Sequence, residues 1–279
     1  MKTKQFIINF MFLLAISIFL IVTAPLPLPA TSDTQAATVD VNYVFEMLEA
    51  ENDAARATWT KDIVKPGKRV GLEFSEDWRE KELDAGPLPA LFLRETAKNM
   101  ERNPLRLSLF LGSDFPISPS NKFIDIQLAK FNQLKKTAKP QFFLQKDTAL
   151  YTAMFADMAI SPVCVDCHND HKDSAKKDWK LNEMMGATTW MYPKQAMTLK
   201  EAMALLNLLR NSIKTAYSRY VNKAATFKTP PDIGKKWPEQ GYYLPDANEF
   251  MSKVKSRASV LTLNLLLEQA ENKYTGVAK

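Results

Sequence analysis

The sequence predicts an α+β fold, and three observations carry that expectation. Apolar residues recur at helical spacing in several stretches between residues 41 and 193. Between those stretches lie short runs rich in aromatic and β-branched residues, bounded by turn formers. After Pro193 the pattern changes to two long helical stretches joined by a proline-rich link.

The chain starts with Lys2 and Lys4 and continues as an uncharged apolar stretch to Ala24, the pattern of a secretory signal. At about 18 apolar residues it also reaches the lower end of a membrane-spanning helix, so residues 1–24 read as a cleaved signal peptide or a retained anchor. Residues 25–40, rich in Pro, Ser and Thr, read as a linker. Val44, Phe45, Leu48, Ala54, Ala55 and Trp59 then predict one amphipathic helix over 41–64. Pro87 and Pro89 open a second helix, 90–102, because proline suits a first turn, and Asn103-Pro104 stops it. LRLSLFL at 105–111 alternates like a half-buried strand. A helix over 124–137 follows, then strands at 141–144 and 149–160 separated by the turn-forming Lys146-Asp147. The second strand leads into a loop, SPVCVDCHNDH, and GATTWMY at 186–192 reads as the last strand. Residues 194–279 read as a separate helical extension, with helices over 199–220 and 248–273.

Composition narrows the function. Roughly 240 residues beyond the export segment suffice for one large domain. Hydrophobic residues are 46% and charged residues 24% of the chain, the balance of an ordinary globular protein. The net charge is +6, but Lys and Arg are interleaved with acids rather than gathered into runs, and no basic stripe with interleaved aromatics appears. Nucleic acid is therefore not an expected partner. The export segment places the chain in the periplasm or another extracytoplasmic space, secreted or held at the inner membrane.

The chemistry is concentrated in Cys164-Val165-Asp166-Cys167-His168. A C-x-x-C-H sequence reads as thioether attachment of one haem c through both sulfurs, with the adjacent imidazole on the iron. Cysteines three apart reach two vinyl groups on one porphyrin edge, and the next residue aims its ring at the metal. These are the only two cysteines, and His168 is one of only two histidines. A Cys164–Cys167 disulfide suits an oxidising compartment but leaves His168 unexplained. Zinc held by Cys164, Cys167, His168 and His171 would crowd four ligands into eight residues, where zinc modules separate their ligand pairs by a dozen or more. His171 is not expected on the same iron, because three residues span at most about 10 Å and the chain would have to pass around the ring; it reads as a hydrogen-bonding residue. The distal position is open among one of the twelve Met, a Lys, a Tyr, water or no ligand, with Met47 on the first helix as the candidate.

GPLPALFLRETA at 86–97, RNPLRLSLF at 102–110, CVDCHNDH at 164–171 and DWKLNEMMG at 178–186 together resemble the single-haem c domain of bacterial sensor-type proteins. The resemblance covers residues 41–193 and implies a PAS-like domain, a small antiparallel sheet with flanking helices and haem held beside it. In that family a cysteine has been described as the distal haem ligand, and this chain has no third cysteine, so that ligand does not carry over. Larger members of the family fuse the domain to kinase or chemotaxis-type modules, whereas residues 194–279 read only as helices.

Two functions compete. A periplasmic electron carrier needs only a six-coordinate haem and one exported domain. A haem-based redox or gas sensor would signal to a partner through the helical tail. Either needs a redox or signalling protein as partner, with membrane association through the N-terminal segment. An enzyme is not expected, since no paired carboxylates lie near a Ser or a further His.

Overall fold

The computed structural model describes residues 38–275; the signal segment and nearly all of the linker lie outside them. Among the described residues no helix is long and apolar enough to cross a membrane.

The chain enters through a short strand, β1 (Thr38–Asp40), and Asp40 caps the first helix, α1 (Val41–Ala57), accepting from the Asn42 N–H at 2.8 Å. The helical run outlasts the predicted residue 64. It widens into a π-helical stretch at Thr58–Val64 and ends as α2 (Lys65–Arg69). Pro66 is the reason: its ring cannot donate within a helix, and the run accommodates it with a five-residue step in which the Lys65 N–H bonds the Thr60 carbonyl. Two short parallel strands, β2 (Glu73–Ser75) and β3 (Ala85–Pro87), lead to α3 (Pro89–Glu101), opened by proline as the sequence predicts.

The main sheet has four antiparallel strands: β4 (Ser108–Gly112), β5 (Gln141–Gln145), β6 (Leu150–Met158) and β7 (Met184–Tyr192), in the order β4-β7-β6-β5. β4 starts three residues later than predicted because Arg106 takes a left-handed φ of 59°. The alternation still marks the inward positions, since Leu107 and Leu109 are buried in the main core. α4 (Asp125–Thr137) covers one sheet face, where Phe123, Phe131, Leu134, Met154 and Ala187 form a small cluster. The other face, carrying Ala153, Phe155, Trp190 and Tyr192, belongs to the main core with α1 and α3. β6 bulges at Asp157/Met158 and turns into α5 (Pro162–Asp170), so the segment expected to be a loop is a helix, with Pro162 in its first turn.

β8 (Ala196–Thr198) pairs with β1, and α6 (Leu199–Ala224) and α7 (Ala247–Thr275) follow, linked through the two-stranded pair β9 (Asp232–Gly234) and β10 (Tyr243–Pro245). These helices share the main core. Leu205, Leu209, Ile213, Tyr217 and Tyr220 of α6 and Phe250 of α7 are fully buried with Phe45, Trp59 and Phe92. The Trp59 ring stacks on Phe92 at 4.6 Å, and Tyr217 stacks on Phe250 at 3.9 Å. Arg210 pairs with Glu51, and Arg257 bonds Asp62 at 3.0 Å. The extension that the sequence sets apart is thus built into one core with the sheet domain, since α1 has no other cover for this apolar flank.

Candidate functional site

α5 carries Cys164, Cys167 and His168 at positions i, i+3 and i+4, one face of a helix. None of its residues is fully buried, so it is held from behind. The Asn169 amide donates to the Trp179 carbonyl at 3.0 Å, and its oxygen accepts the Trp179 N–H at 2.9 Å. Trp179, Ala159 and Met185 form a small apolar cluster on which Cys164 and Val165 pack. The Trp179 ring meets the His168 ring edge-on at 6.3 Å. The Asp-Trp-Lys segment therefore fixes the helix that bears the motif.

All three motif residues line one cavity of about 430 Å³. A second wall is α3 with the residue before it, contributing Leu88, Leu91, Leu93, Arg94, Glu95 and Lys98. The strand ends give Leu111, Gly112, Met185 and Gly186. β4 and β7 approach so closely there that a Cβ on Gly186 would lie 2.3 Å from the Gly112 carbonyl oxygen, which excludes any side chain at that position.

The electrostatics of the cavity suit a neutral ligand set. Both thiols are unpaired. Burial pushes the Cys164 thiol up, opposed by the Arg56 guanidinium. Burial also raises Cys167, helped by the Glu76 carboxylate. Burial lowers His168, which keeps its imidazole neutral, the form with a lone pair free for a metal. His168 Nδ1 is buried with no hydrogen-bond partner among the described residues, so none of them fixes the ring through that nitrogen. Two sulfurs and one imidazole on one helix face, beside a cavity that offers both leucine side chains and charged groups, are the donor set a haem attached through thioethers would need, and the residues present fit the group.

Among the described residues no three His, Cys, Asp or Glu side chains converge as a metal-ligand group. His171 does not line the cavity. Its Nδ1 accepts the Asp173 N–H at 3.1 Å, which leaves Nε2 to donate to Glu76 Oε2 at 3.0 Å. Met47 is half-buried against the main core and is not among the cavity residues; the methionine that lines the cavity is Met185, which belongs to the cluster behind α5.

The sequence reading missed the charged residues of the cavity. Arg56 pairs with Asp157 and donates to the Met158 carbonyl at 2.9 Å, locking the bulge of β6 to α1. Nearby, Glu49 accepts from Trp190 Nε1 at 2.6 Å. Glu95, buried on α3, pairs with Arg79 and approaches Arg219 of α6 at 3.6 Å. A signal was present: Glu49, Asn52 and Arg56 occupy the helical stripe that continues to Trp59, and polar residues inside an apolar stripe mark a site.

A profile of the Tll0287-like family matches residues 33–193, more than half of the chain. The chain belongs to the Tll0287-like family. Tll0287 is a cytochrome c-like sensor domain, and the match spans α1 to β7, including both walls of the cavity. α6 and α7 lie beyond the Tll0287-like region although they share its core. No curated protein and no solved structure matched the chain.

Proposed function

We propose that this chain is an exported single-haem c-type cytochrome that transfers electrons outside the cytoplasm. One observation carries the reading: Cys164, Cys167 and His168 share a helix face and line one cavity, walled by leucines and by charged side chains. Cys164 and Cys167 would hold the macrocycle by thioethers, and His168 would offer its imidazole nitrogen to the iron. The haem contributes an Fe(III)/Fe(II) couple. The protein's part is to anchor one edge through α5, exclude water with Leu88, Leu91, Leu93 and Leu111, and keep His168 neutral by burial. The partner is a redox or signalling protein, and the N-terminal segment provides export or membrane association.

A second reading, a redox or gas sensor, is favoured by the wiring of the α3 wall. Asn99 of α3 donates to the Ser212 carbonyl of α6 at 3.2 Å, and Arg219 of α6 approaches Glu95. A movement of α3 over a bound ligand would thus reach the C-terminal helices directly. Absorption spectra of the periplasmically expressed protein, oxidised and reduced, with and without CO, test both. Electron transfer requires a low-spin six-coordinate spectrum unmoved by CO, and a CO-shifted Soret band would replace it with sensing. A protein without any Soret band overturns both readings.

A further inference from the structure

The acids of the cavity are already paired. Asp157 is matched by Arg56, Glu95 by Arg79, and Glu76 by His171. Two cations on the same wall are left over. Among the described residues Arg94 has no ion pair and no hydrogen bond, and Lys98 reaches Glu95 only at 4.0 Å, an acid already matched by Arg79. They stand four apart on α3, so both side chains project from one face, beside the apolar Leu88, Leu91 and Leu93. Burial, with Arg79 and Arg94 adding to it, lowers Lys98, the mark of cations crowded together without enough counter-charge. The wall thus offers an apolar surface with two positive charges, one without an acidic partner among the described residues and one that shares Glu95 at long range. Its complement is a flat apolar body with two carboxylates at one edge.

We infer that Arg94 and Lys98 bind the two propionate carboxylates of the haem, an inference that rests on the haem reading above. The chemistry of the ring supports the placement. Vinyl groups and propionates occupy different edges of a porphyrin, so a macrocycle tethered by its vinyl edge to Cys164 and Cys167 carries its carboxylates away from α5. α5 itself contains no Lys or Arg to receive them. A guanidinium and an ammonium four residues apart match two carboxylates in number and charge.

The test is resonance Raman spectroscopy of the reduced full-length holoprotein, reading the propionate bending band, which reports hydrogen bonding to those carboxylates. Arg94→Gln and Lys98→Gln should each shift the band to lower frequency, the double variant should shift it further, and Arg94→Lys should restore part of the shift. Covalent haem on a denaturing gel and the iron coordination state should be unchanged in all of them. An unmoved band in variants that retain haem overturns the inference and leaves the haem reading intact. A wild-type protein without covalent haem instead overturns the haem reading itself. A changed coordination state in Lys98→Gln would place Lys98 on the iron and overturn its assignment to a carboxylate. Should the double variant fail to accumulate, the single variants decide, since Arg94 is only half-buried and the Lys98 side chain is 44% exposed.

Discussion

The cavity has two helical walls that are held in opposite ways. α3 is rooted in the main core: Phe92, Leu93, Thr96, Ala97 and Met100 are buried, and Phe92 stacks on Trp59. α5 buries no residue fully and leans on a satellite cluster built around Trp179, with Asn169 as its clasp. One wall therefore borrows the stability of the whole protein, whereas the other depends on a few contacts and on whatever fills the cavity. The motif that would anchor the haem sits on the weaker wall, so attaching the cofactor would be coupled to completing α5.

The largest expected effect follows from that coupling. Cys164→Ala/Cys167→Ala should lose all haem that survives denaturation, read by haem stain on a denaturing gel. Amide hydrogen exchange should accelerate over α5 and leave α3 protected. Equal acceleration in both helices would show that the two walls are one cooperative unit.

Next in size are two aromatic truncations that separate the walls. Phe92→Ala and Trp179→Ala each remove a large buried ring, a change that costs about 3–5 kcal/mol in a well-packed core. Phe92→Ala should lower the global unfolding midpoint in denaturant with little change in the Soret band. Trp179→Ala should disturb the Soret band more than the midpoint, because its ring abuts His168 rather than the main core. The reverse order would sink the distinction.

A smaller effect concerns the acid behind the cavity. Burial, reinforced by the Asp53 carboxylate, holds Glu49 well above the usual carboxylate range. A carboxyl raised in the folded state contributes stability that is complete at pH below its unfolded value and is lost as pH rises toward its folded one. Glu49→Gln keeps an acceptor for Trp190 and removes the titration, so its unfolding free energy should fall less than the wild type's as pH increases from the ordinary carboxylate range. Parallel curves would mean that Glu49 ionises normally in the folded protein.

The contrast between the walls also explains what the sequence disclosed. The C-x-x-C-H motif compresses its chemistry into five adjacent residues, so Cys164, Cys167 and His168 stand out as candidates without a fold, and the structure places all three on one face of α5. The α3 contribution is spread over helical spacing and draws on Arg79 and Arg219 from elsewhere, which only tertiary packing brings together. Periodicity placed the helices and the four main strands, because burial on one face imposes it. It could not show that Pro66 would be absorbed by a π-helical step, nor that Arg106 would adopt a left-handed turn and delay β4. The apolar faces of α6 and α7 were visible, but amphipathicity names no partner; their burial against α1 depends on contacts more than a hundred residues apart.

The smallest expected effect belongs to His171, three residues beyond His168. Chain reach argues against its turning to the far side of the same iron, and its side chain is not among those lining the cavity. Its ring bridges Asp173 and Glu76, tying the end of α5 to the segment after β2. Glu76 is well exposed, and an exposed pair of this kind is worth at most about 1 kcal/mol. His171→Ala should therefore leave the oxidised and reduced spectra of the holoprotein unchanged and lower stability by no more than that amount in denaturant unfolding. Fraying should be confined to the last turn of α5, visible as faster amide exchange at Asp170 and His171. Met47→Leu, on the core side of α1, should likewise leave the spectra and the midpoint potential as they are, since Leu preserves the packing and no cavity contact is lost. A shifted Soret band in His171→Ala would mean that the α5 turn reorients to bring a second imidazole to the metal. The same shift in Met47→Leu would mean that α1 supplies the distal sulfur after a rearrangement on haem binding, and the division of labour between the two walls would have to include a third.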